Sequence, residues 1–305
     1  MIDTVNMEYH LPVMLQECLE ALKIKPDGIY LDLTFGGGGH SAAILSQLTT
    51  GKLLVFDQDP DAKANAVALN DSKVEFIAAN FRHFGKYLRM HNITHVDGIL
   101  ADLGVSSHQI DAAERGFSTR FEARLDMRMD QKGSLTAADI LNGYTEEELT
   151  RIFSNYAEIR NSKTLAKAII MARSGEAINK SEQLKRIILP LSKRGKENQF
   201  MARVYQALRI EVNDEMASLR EMLEQTADVL APGGRLVVMS YHSLEDRLVK
   251  YYMNSGNFIG EQEKDFYGNL IRPLKPISRK PITASIEELD RNNRARSAKL
   301  RIAEK

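Results

Sequence analysis

The chain has 305 residues, 43% hydrophobic and 27% charged, an ordinary globular composition that accommodates one large domain or two of usual size. Its 41 Lys/Arg balance 41 Asp/Glu, so no global charge announces a polyanionic partner, and a single cysteine, Cys18, excludes a disulfide framework and any multi-cysteine zinc site. No apolar run approaches the roughly 18 residues of a membrane span, and the acidic start MIDTVNMEYH does not resemble a signal peptide, so a soluble cytoplasmic protein is expected.

In chain order, Cys18 reads as a small hydrophobe on an early helix. Four β-rich runs follow at 29–35 (IYLDLTF), 52–57 (KLLVFD), 74–78 (VEFIA) and 96–102 (VDGILAD). Helical segments at 41–48, 60–69 and 81–90 separate them. Alternation of this kind predicts βαβ units and a parallel sheet covered on both faces. After Asp102 the pattern changes. The next strand, 235–240 (RLVVMS), is announced by the turn APGG and lies about 130 residues on, where a crossover takes about 30. Helix patterns fill the gap: Ala137–Leu141, Thr145–Tyr156, Ser162–Ser174, Ser181–Leu189 and Phe200–Leu230. The expected organisation is an α/β domain made of 1–110 and 215–305, interrupted by an all-helical domain over 111–214. A helix at Leu244–Met253 and a basic tail close the chain.

The first strand breaks into Gly36, Gly37, Gly38 and Gly39. A phosphate cradle needs a lysine after such glycines, and no basic side chain lies between Tyr30 and Gly51. The dinucleotide fingerprint fails too, because Ser41 stands where its third glycine belongs. Asp32-x-Thr34-x-Gly36-x-Gly38 is similar instead to the loop of Rossmann-like methyltransferases, with Thr34 in place of the first glycine. Strand two ends in Asp57, 21 residues after Gly36, where a carboxylate accepts ribose hydroxyls of an adenosine-containing ligand. Asp32, Asp57 and Asp102 all fall near strand C-termini, a negative lining that suits a sulfonium and repels pyrophosphate. S-adenosylmethionine is therefore the expected cofactor, with a purely structural glycine turn as the alternative. Phe81, after the third strand, packs on adenine or is an ordinary core residue.

Asp102 heads ADLGVSSHQID. Methyl transfer to an exocyclic base amine needs an acceptor there, since the amine lone pair is conjugated and must be turned toward the methyl group. The Pro-Pro-aromatic run common after this aspartate in base aminomethyltransferases is absent.

HLPVMLQE (10–17), DLTFGGGGHS (32–41), DLGVSSHQID (102–111), ERGFS (114–118), LDMRMD (125–130), YQALRIEVNDE (205–215), LAPGGRLVVMSYHSLEDRLVK (230–250) and NRARSAKLR (293–301) occur in this order over nearly the whole chain. Together they resemble the bacterial 16S ribosomal RNA (cytosine-N4)-methyltransferase family, which modifies a cytosine of the decoding centre. The resemblance implies an α/β fold of the Rossmann-like class I S-adenosylmethionine-dependent methyltransferase type with an inserted all-helical domain. It implies a cofactor site at Gly38, Gly39, His40, Asp57, Phe81, Asp102 and Gln109, and 16S rRNA, within the small ribosomal subunit, as partner. Gly37, Asn292 and the stretch TRFEA (119–123) depart from the family pattern.

Asp102 is the candidate catalytic residue. Tyr241, His242 and Arg128 are candidate substrate contacts, each with a structural alternative: His242 caps the helix at Leu244, and Arg128 pairs with Asp126 or Asp130. His91 and His95 read as surface residues, and no catalytic metal is expected. Residues 271–305 carry ten Lys/Arg against four Asp/Glu, and 185–203 is basic with one acid, Glu197. Such patches are the footprint of a phosphate backbone, or else solvated faces and a tail that orders only on RNA. The expected reaction is methylation of a flipped-out cytosine amine. Methylation of DNA amines, a dinucleotide-dependent oxidoreductase and a non-catalytic RNA-binding assembly factor are the competing readings.

Overall fold

The computed structural model describes residues 12–305; MIDTVNMEYH, and with it the start of HLPVMLQE, lies outside the described residues. Two compact units emerge, Met1–Gly104 with Met216–Lys305, and Val105–Glu215. The expected cut at 110 falls inside a helix, Ser107–Asp111, whereas the unit boundary follows Gly104, whose φ of +95° turns the chain out of the sheet.

The first unit is built on strands β1 (Ile29–Asp32), β2 (Lys52–Asp57), β3 (Val74–Ala78) and β4 (Val96–Asp102), all parallel. Helices α1 (Leu15–Leu22), α2 (Gly39–Leu45), α3 (Ala62–Leu69) and α4 (Phe84–Met90) alternate with them. Leu31, Leu53, Leu54, Val55, Phe56, Ile99 and Leu100 are fully buried, because a parallel sheet covered on both faces buries the side chains of its inner strands on either side. β1 ends three residues earlier than the IYLDLTF run suggests. Leu33 and Phe35 nevertheless donate backbone N–H to Leu100 and Phe56, one to each neighbouring strand. Cys18 is completely buried on α1 and its thiol is pushed up chiefly by that burial, as a packing residue's would be.

The second unit is helical: α5 (Ser107–Asp111), α6 (Ala137–Gly143), α7 (Glu146–Asn155), α8 (Ser162–Arg173), α9 (Ser181–Ile188) and α10 (Glu197–Asn213). Thr136 and Thr145 start α6 and α7 through capping boxes with Asp139 and Glu148, which satisfy otherwise orphaned N–H groups. Its core is its own, with Ile152, Phe153, Leu165, Ile169, Leu184 and Leu208 fully buried. In LDMRMD, Leu125, Met127 and Met129 point inward while Asp126, Arg128 and Asp130 do not. Asn213 holds this loop, accepting from Met129 N–H at 2.7 Å and donating to the Met127 carbonyl at 2.8 Å.

Two expectations are corrected where the chain returns. The single helix expected over 200–230 is two, α10 and α11 (Glu215–Val229), parted at Asp214 with φ +48°. Aspartate tolerates that left-handed conformation better than most residues. The tail is also not a free basic segment. Beyond β5 (Leu230–Ser240) and α12 (Ser243–Ser255), the chain adds β6 (Lys275–Pro276), α13 (Ile286–Arg291) and β7 (Lys299–Glu304). β7 lies antiparallel to β5, giving a seven-stranded sheet ordered β3-β2-β1-β4-β5-β7-β6. Arg301 and Lys299 pair with Asp246 at 2.7 and 3.2 Å, and Glu304 pairs with Arg235, its cross-strand partner. Those tail charges are therefore committed inside the fold. Among the described residues no helix is long and apolar enough to cross a membrane.

Candidate active site

Because β1 is flanked by β2 and β4, the three aspartates that end these strands stand side by side at one sheet edge. Ligands bind at this edge in open α/β sheets, where strand order reverses. Asp32 is 1% exposed and accepts from Ser41 Oγ at 2.6 Å and from Thr34 N–H at 3.1 Å. Thr34 Oγ1 in turn accepts from Asp102 N–H at 2.6 Å, tying the ends of β1 and β4 together. The two residues that break the familiar glycine patterns, Thr34 and Ser41, thus fix the carboxylate geometry.

Asp57 Oδ2 accepts from Gly36 N–H at 2.8 Å and Oδ1 from Asp59 N–H at 2.8 Å. Each oxygen keeps a lone pair for a further donor such as a ribose hydroxyl. Burial pushes Asp57 up to about 6, against the pull of those two N–H groups. Asn65, which sequence reasoning passed over, donates to the Gly36 carbonyl at 3.0 Å and braces the same turn.

The glycines differ in their reasons. Gly36 and Gly38 have φ of +51° and +78°, and a Cβ on Gly38 would meet the Phe35 ring at 2.8 Å. A Cβ on Gly39 would lie 2.4 Å from Pro12 Cγ, whereas one on Gly37 meets nothing within 4 Å. Gly39→Ala is expected to destabilise the protein by about 1–3 kcal/mol through overpacking, and Gly37→Ala to leave it within about 0.5 kcal/mol. Equal thermal midpoints for the two variants would contradict this.

Asp102 is about one-quarter exposed, at 24%, and is gripped from two sides. Tyr241 Oη donates to Oδ1 at 2.8 Å, and His40 Nδ1 lies 3.8 Å from Oδ2. The other His40 nitrogen, Nε2, donates to the Val13 carbonyl at 3.1 Å, so His40 pairs ionically with Asp102 only when both nitrogens carry protons. Burial lifts Asp102 to about 6, opposed by His40 and Tyr241 and aided by the Asp32 and Glu245 charges. Burial first, then the Asp102 carboxylate, raise the Tyr241 phenol far above its ordinary range, so it stays a neutral donor.

The remaining candidates divide. Tyr241 joins the acceptor cluster, its ring beside Gly104. His242 caps α12, its Nδ1 accepting from Glu245 N–H at 3.4 Å, and Glu245, also missed from sequence, accepts from Tyr241 N–H at 2.9 Å. Phe81 is partly buried on a 3-10 turn at the margin of the core. Gln109 and Arg128 lie in the helical unit. Gln109 is 4% exposed and its side chain accepts from Ser106 N–H at 3.0 Å, completing a capping box. Arg128 grips Asp126 bidentately at 2.8 and 2.7 Å and donates to the Gln131 and Gly133 carbonyls, so its fork is occupied within its own loop.

The donor set fits S-adenosylmethionine. Carboxylates at three adjacent strand ends oppose a cation, no lysine or arginine enters the glycine loop, and Asp57 retains acceptor capacity. A family model described as the MraW methylase family matches residues 7–305. "Ribosomal RNA small subunit methyltransferase H" of Amoebophilus asiaticus is 54% identical over 297 residues, covering 97% of this chain and 96% of that protein. The proteins of the same description from Cytophaga hutchinsonii and Flavobacterium johnsoniae are each 54% identical, over 297 and 303 residues, with 97% and 99% of this chain covered and 99% of each relative.

Proposed function

The chain belongs to the MraW methylase family, and on that premise we propose that it methylates the N4 amine of a decoding-centre cytosine of 16S ribosomal RNA, using S-adenosylmethionine. The observation that carries the reading is the Asp102 carboxylate, oriented by Tyr241 at the mouth of a cation-suited loop. When bound, the cofactor supplies an electrophilic methyl group on a sulfonium. The chain's part is to position. Asp57 would hold the ribose and Phe81 would border the adenine, while Gly36 to Gly39 would let the cofactor's amino-acid end approach the backbone. Asp102 accepts an N–H of the cytosine amine, turns its lone pair out of conjugation toward the methyl, and stabilises the positive charge that grows on nitrogen. Tyr241 keeps that carboxylate oxygen aimed. The helical unit and the basic surfaces hold the RNA, which we place within the small ribosomal subunit, and the protein in the cytoplasm.

The test is direct. The protein is incubated with labelled S-adenosylmethionine and 30S subunits, free 16S rRNA or DNA, and the modified nucleoside is identified after digestion. N4-methylcytosine in 16S rRNA is expected; its absence, or label in DNA alone, would sink the proposal.

The raised Asp57 and Asp102 also set a pH dependence. Protonated Asp102 is a poorer acceptor, so kcat/KM, which follows the ionisation of the free protein, is expected to fall about tenfold per unit as pH drops below about 6. Stability runs the opposite way. Between about pH 4 and 6 the native state holds protons that the unfolded chain has released, so these two groups stabilise most below the unfolded value, and that contribution is lost as pH rises through about 6. Each is worth on the order of 2–3 kcal/mol. Asp57→Asn and Asp102→Asn should therefore flatten the stability profile between pH 4 and 7 in calorimetric scans, and an unaltered profile would refute the shifts.

A further inference from the structure

Away from the aspartate cluster, the C-terminal end of α12 borders a cavity of about 730 Å³. Lys250, Arg272 and Arg279 face it, and no carboxylate is among its lining residues. Lys250 Nζ lies over the Tyr251 ring, 5.1 Å from its centroid. Gln262, Leu270 and Arg272, also in the lining, belong to the stem of a hairpin. That hairpin is paired by Ile271 N–H to the Glu263 carbonyl and Asp265 N–H to the Asn269 carbonyl, both at 2.9 Å.

Its tip is ordered and apolar at once. The Asp265 carboxylate accepts from the backbone N–H of Tyr267 and Asn269 and from the Asn269 side chain, at 2.9 to 3.0 Å. Phe266 and Tyr267 stand on this turn 98% and 86% exposed, edge to face with each other at 5.7 Å. A turn locked so as to hold two large rings in water has its apolar surface left for a partner. Arg272 and Lys264 accompany the acidic Glu261, Glu263 and Asp265 on the hairpin, and the two rings occupy its tip: phosphates suit the cavity, and uncharged ring faces suit the tip.

We propose that the cavity and the hairpin form a second RNA-contact surface, in which Lys250, Arg272 and Arg279 neutralise phosphates of the 16S rRNA while Phe266 and Tyr267 stack on unpaired bases. This rests on the rRNA reading above. Lys250 lies nine residues beyond Tyr241, about 14 Å at the rise of a helix, so the surface is separate from the acceptor cluster and engages flanking RNA. A surface of this kind sets affinity and registers the substrate without entering the chemistry.

Two variants test it, Lys250→Ala/Arg272→Ala/Arg279→Ala and Phe266→Ala/Tyr267→Ala, with Kd for free 16S rRNA and KM and kcat on 30S subunits measured across salt concentrations. Calorimetry of S-adenosylmethionine binding reports that both remain folded. The cation variant is expected to weaken RNA binding and to reduce the slope of log affinity against log salt by about 2. The aromatic variant is expected to weaken binding about tenfold or more with the slope unchanged. In both, kcat at saturation stays at the wild-type value. Wild-type affinity and slope in both variants overturns the surface while leaving the methylation reading intact. A raised KM on 30S subunits with unchanged affinity for free 16S rRNA assigns the surface to a ribosomal protein and also overturns it. If the wild-type protein itself forms no N4-methylcytosine, the functional reading falls and the proposal with it.

Discussion

Asp102→Ala is expected to lower kcat by about 10²–10³-fold, the scale on which removal of one preorganised polar group at a developing charge is felt. The loss should fall on kcat rather than on affinity for RNA, because the interaction with the amine strengthens only as nitrogen acquires charge. Asp102→Asn keeps a carbonyl acceptor but loses the negative charge, and Tyr241 Oη and His40 would still surround it. It should retain more activity than the alanine variant and lose the fall in rate below pH 6. Initial rates of label transfer to 16S rRNA decide this. An Asp102→Ala enzyme within threefold of wild type would remove Asp102 from the reaction and leave it a structural tie between β4 and Tyr241.

Asp57→Ala should weaken S-adenosylmethionine by about 3 kcal/mol, roughly a hundredfold in Kd, through loss of charge-assisted hydrogen bonds to the ribose. The structure adds a second source of loss. The same carboxylate anchors Gly36 N–H and Asp59 N–H, so alanine also releases the glycine turn. Asp57→Asn, which retains a carbonyl for one of these donors, should sit between wild type and alanine. Titration calorimetry with the purified protein reads both, and an unchanged Kd for the alanine variant would reject the ribose assignment.

Much of the fold was legible because its signals are local. Strands at 52–57, 74–78 and 96–102 have the bounds that the apolar runs propose, since the sheet buries most of the side chains of its inner strands. The start of α7 at Thr145 was readable from a cap followed by carboxylates. The break at Asp214 was not, because its neighbours on both sides keep the helical apolar period and only the backbone reveals the left-handed residue. Nor was β7. In KLRIAE Arg301 alternates with Leu300 and Ile302 as on a half-solvated strand, yet it is buried, which is tolerable only beside Asp246 on α12, 55 positions away.

At the site, the sequence by itself determined the chemical inventory: a glycine loop without cations, and aspartates at the ends of three strands, with spacings that mark a nucleoside-binding edge. These follow from composition and short-range order, which chain connectivity preserves. Only the tertiary structure decided which groups are available. It turned Thr34 and Ser41 into supports for Asp32 and Asp102, placed Tyr241 on Asp102 from 139 residues away, and brought Glu245 N–H to His242 and Asp126 to Arg128. Hydrogen-bond capacity is finite and directional, so a side chain's role depends on which partners folding brings within about 3 Å of it, and the linear sequence carries no record of that distance.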